Sequence, residues 1–68
     1  MRIRDLREDA DKTQAQVAAY LHIRQNTYSQ YESGKRQLPL KALIDLAKYY
    51  KTSTDYILGL TDQKEPYK

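Results

Sequence analysis

The stretch from Thr13 to Lys35, TQAQVAAYLHIRQNTYSQYESGK, leaves the backbone few choices. Thr13 followed three residues on by Gln16 is a capping box, in which each side chain satisfies a main-chain amide at the other position, so a helix must start there. Val17, Ala18 and Leu21 supply its buried side. At His22-Ile23 this spacing lapses, and a new helical period runs from Arg24 to Ser33 with Tyr28 and Tyr31 at i and i+3. Gly34 supplies the left-handed stop. The stretch is therefore two short helices joined by a tight turn, with Ile23 as an apolar plug between them.

The second of these helices is two-faced. At 100° per residue, Gln25, Ser29, Ser33, Asn26 and Gln30 fall within an arc of roughly 140°, while Thr27, Tyr28 and Tyr31 point the other way. The tyrosines should enter the core with their hydroxyls near its edge; stacking on single-stranded bases would need them exposed. Asn and Gln each hold a donor beside an acceptor, the pattern that matches N6 and N7 of adenine in the major groove. Amides are also ordinary surface residues on a helix, so the scaffold around them decides between the two readings.

A chain of 68 residues buries only about 60% of its unfolded surface, which leaves little room for a deep catalytic cleft. It has no cysteine, so Leu, Ile, Val, Ala and Tyr must build the core unaided. The apolar runs are short and MRIRDLRED lacks the core of a secretory signal, which predicts a soluble, cytoplasmic protein. The net charge of +3 is unevenly spread. From His22 to Lys41 there are four basic residues (Arg24, Lys35, Arg36, Lys41) against Glu32 alone, while the remainder carries eight of each sign. A stripe that binds phosphates predicts such a distribution.

The flanking segments complete an all-α reading with five helices. Residues 2–10 are predicted as a first helix with an apolar stripe of Ile3, Leu6 and Ala10. Its outer face mixes Arg2, Arg4, Asp5, Arg7, Glu8 and Asp9, with Arg4 and Glu8 as an i,i+4 pair, a mixture that serves solubility. Asp11 tolerates the left-handed backbone that a helix end requires. Tyr20 falls away from the buried side of the second helix and should be partly exposed. Leu38-Pro39 opens a fourth helix whose apolar face is Leu40, Leu43, Ile44, Ala47 and Tyr50. Ser53 caps a fifth, from about Thr54 to Gly59, that carries more apolar groups than it can bury inward. That surplus predicts a subunit contact at Tyr56, Leu58 and Leu60. The domain spans residues 1–60, and the polar residues 61–68 form a tail expected to be disordered. His22, without a second His or any Cys at ligand spacing, is a turn residue, and neither a metal nor a cofactor is predicted.

The residues that carry a family resemblance are now in hand. They are Gln14, Val17-Ala18, Leu21, Ile23, Tyr28, Tyr31-Glu32-Ser33-Gly34-Lys35, Leu38-Pro39-Leu40, Leu43, Leu46-Ala47 and Ser53-Thr54-Asp55-Tyr56-Ile57-Leu58-Gly59. The pattern covers residues 2–60 without a gap and resembles the phage-repressor and Cro-like helix-turn-helix family, also called the xenobiotic-response-element type. The resemblance implies a five-helix lambda-repressor-like domain, encoded by a prokaryote or a phage, that binds pseudo-palindromic double-stranded DNA as a homodimer and regulates transcription, usually as a repressor. By position it assigns base reading to Arg24, Gln25, Asn26 and Gln30, and DNA-backbone contact to Thr13, Gln14, Ser29, Lys35 and Arg36. Gln14 also stands at a helix N-terminus, whose free amides attract phosphate. Two positions depart from the pattern. His22 occupies the turn site where Gly or Asn is usual. Arg24 replaces the usual Ser or Thr cap of the third helix, forfeiting about 1 kcal/mol.

Two function classes compete. In one, the domain is a DNA-binding regulator. In the other it is a protein-interaction module, such as an antitoxin that caps a partner and binds DNA only to regulate itself; residues 61–68 offer little to wrap a partner with. An enzyme is a poor third, because the carboxylates are scattered among cations, the histidine has no nucleophile beside it and no glycine-rich phosphate loop exists.

Overall fold

Helix starts and stops shape this molecule. The computed structural model describes residues 1–65, in which α1 spans Ile3–Asp9, α2 Gln14–Leu21, α3 Gln25–Ser33, α4 Leu40–Tyr49 and α5 Thr54–Leu58, with no strand among them. At the head of α2 the predicted capping box is complete: the Gln16 N–H donates to Thr13 Oγ1 at 3.1 Å, and the Thr13 N–H donates to Gln16 Oε1 at 2.8 Å. Ser53 Oγ accepts from the Tyr56 N–H at 3.0 Å and starts α5. Arg24 caps α3 with no side-chain hydrogen bond, as its chemistry requires. Pro39 stands one position outside α4, at φ −64°.

All five helices end at a left-handed residue, and four of them, all but α3, close with the same returned hydrogen bond. The chain turns left-handed at Asp11 (φ 56°), His22 (59°), Gly34 (81°), Lys51 (54°) and Gly59 (82°). Main-chain N–H groups then reach back over the last turn, from Lys12 to Arg7 O at 3.0 Å, Ile23 to Ala18 O at 3.0 Å, Thr52 to Ala47 O at 2.9 Å and Leu60 to Asp55 O at 2.9 Å. The β-carbons of Asp11, His22 and Lys51 make that conformation cost about 1–2 kcal/mol each, which the returned hydrogen bonds and the burial that follows offset.

Every helix contributes to one core: Ile3 and Leu6 from α1, Val17 and Ala18 from α2, Tyr28 and Tyr31 from α3, Leu43, Leu46 and Ala47 from α4, and Ile57 from α5. Ile23 packs against it at the turn, as expected of a plug. Two expectations are corrected. Ala10 is exposed, because α1 ends at Asp9 and the chain is already turning away. The inward face of α4 is centred on Leu43, Leu46 and Ala47, leaving Leu40 70% and Ile44 40% exposed. Packing against α5 and the rest of the core selects this side of a helix whose apolar residues would fit either stripe.

Aromatic residues bind α2 to α4. Tyr20, 38% exposed, has its ring 4.2 Å from that of Tyr49 and donates its hydroxyl to Asp45 O at 3.1 Å. At the other end, Arg2 binds α5 and the residues after it: its main-chain N–H donates to Ile57 O at 2.9 Å, its Nη1 to Thr61 O at 2.7 Å and its Nη2 to Asp62 Oδ1 at 2.7 Å, while the guanidinium lies 4.2 Å over the Tyr56 ring. The Thr52 hydroxyl donates to Lys64 O. Of the tail expected to be disordered, residues 66–68 lie outside the described residues. Among those described, no helix is long and apolar enough to cross a membrane.

Candidate nucleic-acid interface

Tyr28 is wholly buried and Tyr31 is 7% exposed, so α3 is pinned to the core along one side. The opposite side leaves Gln25 and Asn26 exposed and Gln30 and Ser29 partly so. Together with Gln14 of α2 they line an open depression of ≈ 540 Å³. No hydrogen bond ties the side-chain amides of Gln25, Asn26 or Gln30 to any described residue. Ser33 has turned its hydroxyl back onto Gln30 O at 3.2 Å. The arrangement is a row of unengaged paired donors and acceptors on a rigid, tyrosine-backed helix, which suits base edges better than a flexible surface would.

The tyrosines differ from expectation in one respect. The Tyr28 hydroxyl is sealed inside instead of lying near the edge, close enough to the Glu32 carboxylate to feel its charge but without a hydrogen-bond partner of good geometry. Burial first, then Glu32, raises its ionisation far above the ordinary phenol range. The Tyr50 hydroxyl is also buried without a partner, and burial with the neighbouring Tyr49 pushes it up to about 12. Both phenols therefore stay neutral in the folded protein, a preference that favours folding below the ordinary tyrosine pKa and fades as pH rises beyond it.

Glu32 is the residue whose importance the sequence does not announce. Its side chain is 0% exposed, and Arg7 of α1 grips it in a fork, Nε to Oε2 at 2.7 Å and Nη2 to Oε1 at 3.1 Å. Gln14 Nε2 donates to the same Oε1 at 3.2 Å, and Arg4 Nε lies 3.5 Å from it. Arg7 Nη1 also donates to Lys12 O at 3.1 Å, which steadies the link into the α2 cap. Burial alone would push this carboxyl up; the hydrogen bonds from Arg7 and Gln14, the nearby Tyr28 hydroxyl and the charge of Arg7 outweigh it and hold Glu32 below the usual carboxylate range. The same carboxylate, against a smaller penalty from burial, raises Arg7. One carboxylate thus joins α1, the head of α2 and the far end of α3, setting the angle at which α3 stands. Its one sequence signal is position: Glu32 is the lone acid of the basic stretch, and on the helical wheel it falls between Tyr28 and Gln25.

The other assigned residues stand at the ends of α2 and α3. Thr13 is exposed with its hydroxyl committed to the capping box, and the side-chain amide of Gln14 is held by Glu32, so what these two offer a phosphate is chiefly main-chain N–H at the head of α2. Arg24 at the start of α3, and Lys35 and Arg36 just after it, are exposed and enter no ion pair among the described residues. Leu58 is 44% and Leu60 73% exposed, and Leu58 borders a groove of ≈ 360 Å³ lined also by Met1, Leu38, Leu43 and, from the segment after α3, Gly34 and Arg36. Tyr56 is half-buried beneath Arg2. His22 is exposed at the turn.

Comparison with known proteins agrees with this geometry. A profile of the helix-turn-helix family matches residues 3–57. The uncharacterized HTH-type transcriptional regulator YobD of Bacillus subtilis (strain 168) is 42% identical over 65 residues, covering 96% of this chain and 58% of its own. The HTH-type transcriptional regulator ImmR of the same organism is 38% identical over 85% of this chain and 46% of its own. The cryptic phage CTXphi transcriptional repressor RstR of Vibrio cholerae is 41% identical over 72% of this chain and 44% of its own. The chain spans about half the length of the curated relatives it matches. No solved structure matches significantly.

Proposed function

Because this chain belongs to the helix-turn-helix family of the phage-repressor, xenobiotic-response-element type, we propose that it is a sequence-specific double-stranded DNA-binding regulator of transcription, a repressor that sets α3 in the major groove. The observation that carries this reading is the unengaged amide row of Gln25, Asn26 and Gln30 on a helix whose other side is locked into the core by Tyr28 and Tyr31. Those three, with Arg24 at the groove edge, read bases. The α2 head at Thr13 and Gln14, with Ser29, Lys35 and Arg36, holds the sugar-phosphate backbone on either side.

One such helix covers too few base pairs to select a site. The protein therefore acts as a homodimer, pairing through the exposed Leu58 and Leu60 with Tyr56 beside them, on half-sites about 34 Å apart. Acting on DNA, it works in the cytoplasm. Selection of bound sequences from random duplexes tests all parts together: the expected product is a pseudo-palindrome with one helical turn between half-site centres. A pool that shows no enrichment after repeated rounds, while the protein remains folded, refutes the reading.

A further inference from the structure

We propose that Arg4, on the outer face of α1, is a further phosphate anchor that extends the DNA footprint beyond the helix-turn-helix; this inference rests on the DNA-binding reading above. Glu32 carries one negative charge and its side chain is sealed from solvent, yet two guanidiniums gather on it. Arg7 satisfies both carboxylate oxygens, and Gln14 adds a third donor. Arg4 comes to one of those oxygens through Nε at 3.5 Å without forming a hydrogen bond, and its side chain is 59% exposed. Glu8, four residues on, makes no ion pair with it. Its two Nη groups donate to nothing among the described residues, so a guanidinium fork stands ready on the outside of an already neutralised pair.

Its place matters as much as its freedom. Arg4 Nε and Gln14 Nε2 converge on the same Oε1 of Glu32, so they cannot be farther apart than those two contact distances laid end to end. Gln14 lines the depression that also holds Gln25, Asn26, Ser29 and Gln30. The surplus positive charge of the cluster therefore emerges at the rim of the reading face, beside the α2 head, where a backbone phosphate passes when α3 enters the groove. A guanidinium fork fits two phosphate oxygens at once, and withdrawing the largely exposed Arg4 side chain from a 3.5 Å contact with a carboxylate that Arg7 and Gln14 already satisfy forfeits little.

The test measures affinity for a selected duplex and for a random duplex between 50 and 200 mM salt, with wild type, Arg4→Gln, Arg4→Lys and Lys48→Gln, the last removing one exposed cation from α4. Arg4→Gln is expected to lower the slope of log K against log salt by about 0.9, so that the fourfold rise in salt weakens binding about threefold less than in wild type, equally for both duplexes. Arg4→Lys and Lys48→Gln should keep the wild-type slope, and all four proteins should give the same helical circular dichroism. A wild-type slope in Arg4→Gln, or an equal loss in Lys48→Gln, overturns the Arg4 assignment while leaving the parent reading intact. Absence of salt-dependent duplex binding in wild type brings down both.

Discussion

Replacing Glu32 by Gln keeps the shape of the side chain and removes the charge on which α1, α2 and α3 converge. Arg7, 15% exposed, would lose a forked partner and retain the Lys12 carbonyl and one amide oxygen. Removing one member of a buried ion pair costs about 3–5 kcal/mol when the survivor is stranded, and the remaining acceptors should hold the loss here to about 2–3 kcal/mol. For a chain of 68 residues the whole stability is of the order of 3–10 kcal/mol, so the midpoint of thermal unfolding should fall by about 10–20 °C. The acid limb carries a second signature. Because the folded state holds Glu32 below its unfolded value, its contribution is fully present above the ordinary carboxylate pKa and is lost as pH falls through the depressed folded value. Urea unfolding from pH 7 downwards should therefore show a shallower decline in Glu32→Gln than in wild type. The pairing with Arg7 can be isolated with Arg7→Gln in a double-mutant cycle, where a coupling of about 1–3 kcal/mol is expected. A single variant within about 0.5 kcal/mol of wild type with an unchanged acid limb would refute the assignment of this carboxylate as the joint of three helices.

Other perturbations address the reading face, the pairing surface and the turn. Gln30→Ala should cost roughly 1–3 kcal/mol at its cognate base pair and relax discrimination there, measured by competition with single-base variants of the selected site; equal weakening on every duplex would remove it from base reading. Leu60→Glu, at a side chain 73% exposed, should leave the helical signal and melting point near wild type while sedimentation at tens of micromolar shifts from dimer to monomer and operator affinity falls. A wild type that already sediments as a monomer would defeat that interface. His22→Gly should raise stability by about 0.5–1 kcal/mol, since it relieves a left-handed β-carbon and returns only part of the gain to unfolded-chain entropy; a loss would mean that the imidazole makes contacts that matter.

Local chemistry made much of this domain legible. The Thr13–Gln16 box, the Ser53 cap and the inward tyrosines of α3 are each decided within a turn or two of helix, where spacing and side-chain chemistry suffice. Features set by distant partners were not legible. Arg7 and Glu32 are separated by 25 positions and Gln14 and Glu32 by 18, and nothing in a one-dimensional pattern marks an Arg among mixed charges as the one that turns inward. Arg4, which spacing would pair with Glu8, goes to the same distant carboxylate. On α4, apolar residues at 40, 43, 44, 46 and 47 fit two overlapping stripes, and only the packed core distinguishes the buried Leu46 from the exposed Leu40. Lys51 gives no hint of its left-handed backbone; the N–H of Thr52 reaching Ala47 O imposes it.

The joint at Glu32 has all its partners between positions 4 and 32, whereas the exposed leucines offered for pairing come after α5 begins. Aim and assembly are thus written in different halves of the chain. A chimera that exchanges residues 1–35 between two such proteins should carry one parent's choice of half-site together with the other's choice of mate. Substituting the amides alone would swap letters without disturbing the grip that presents them.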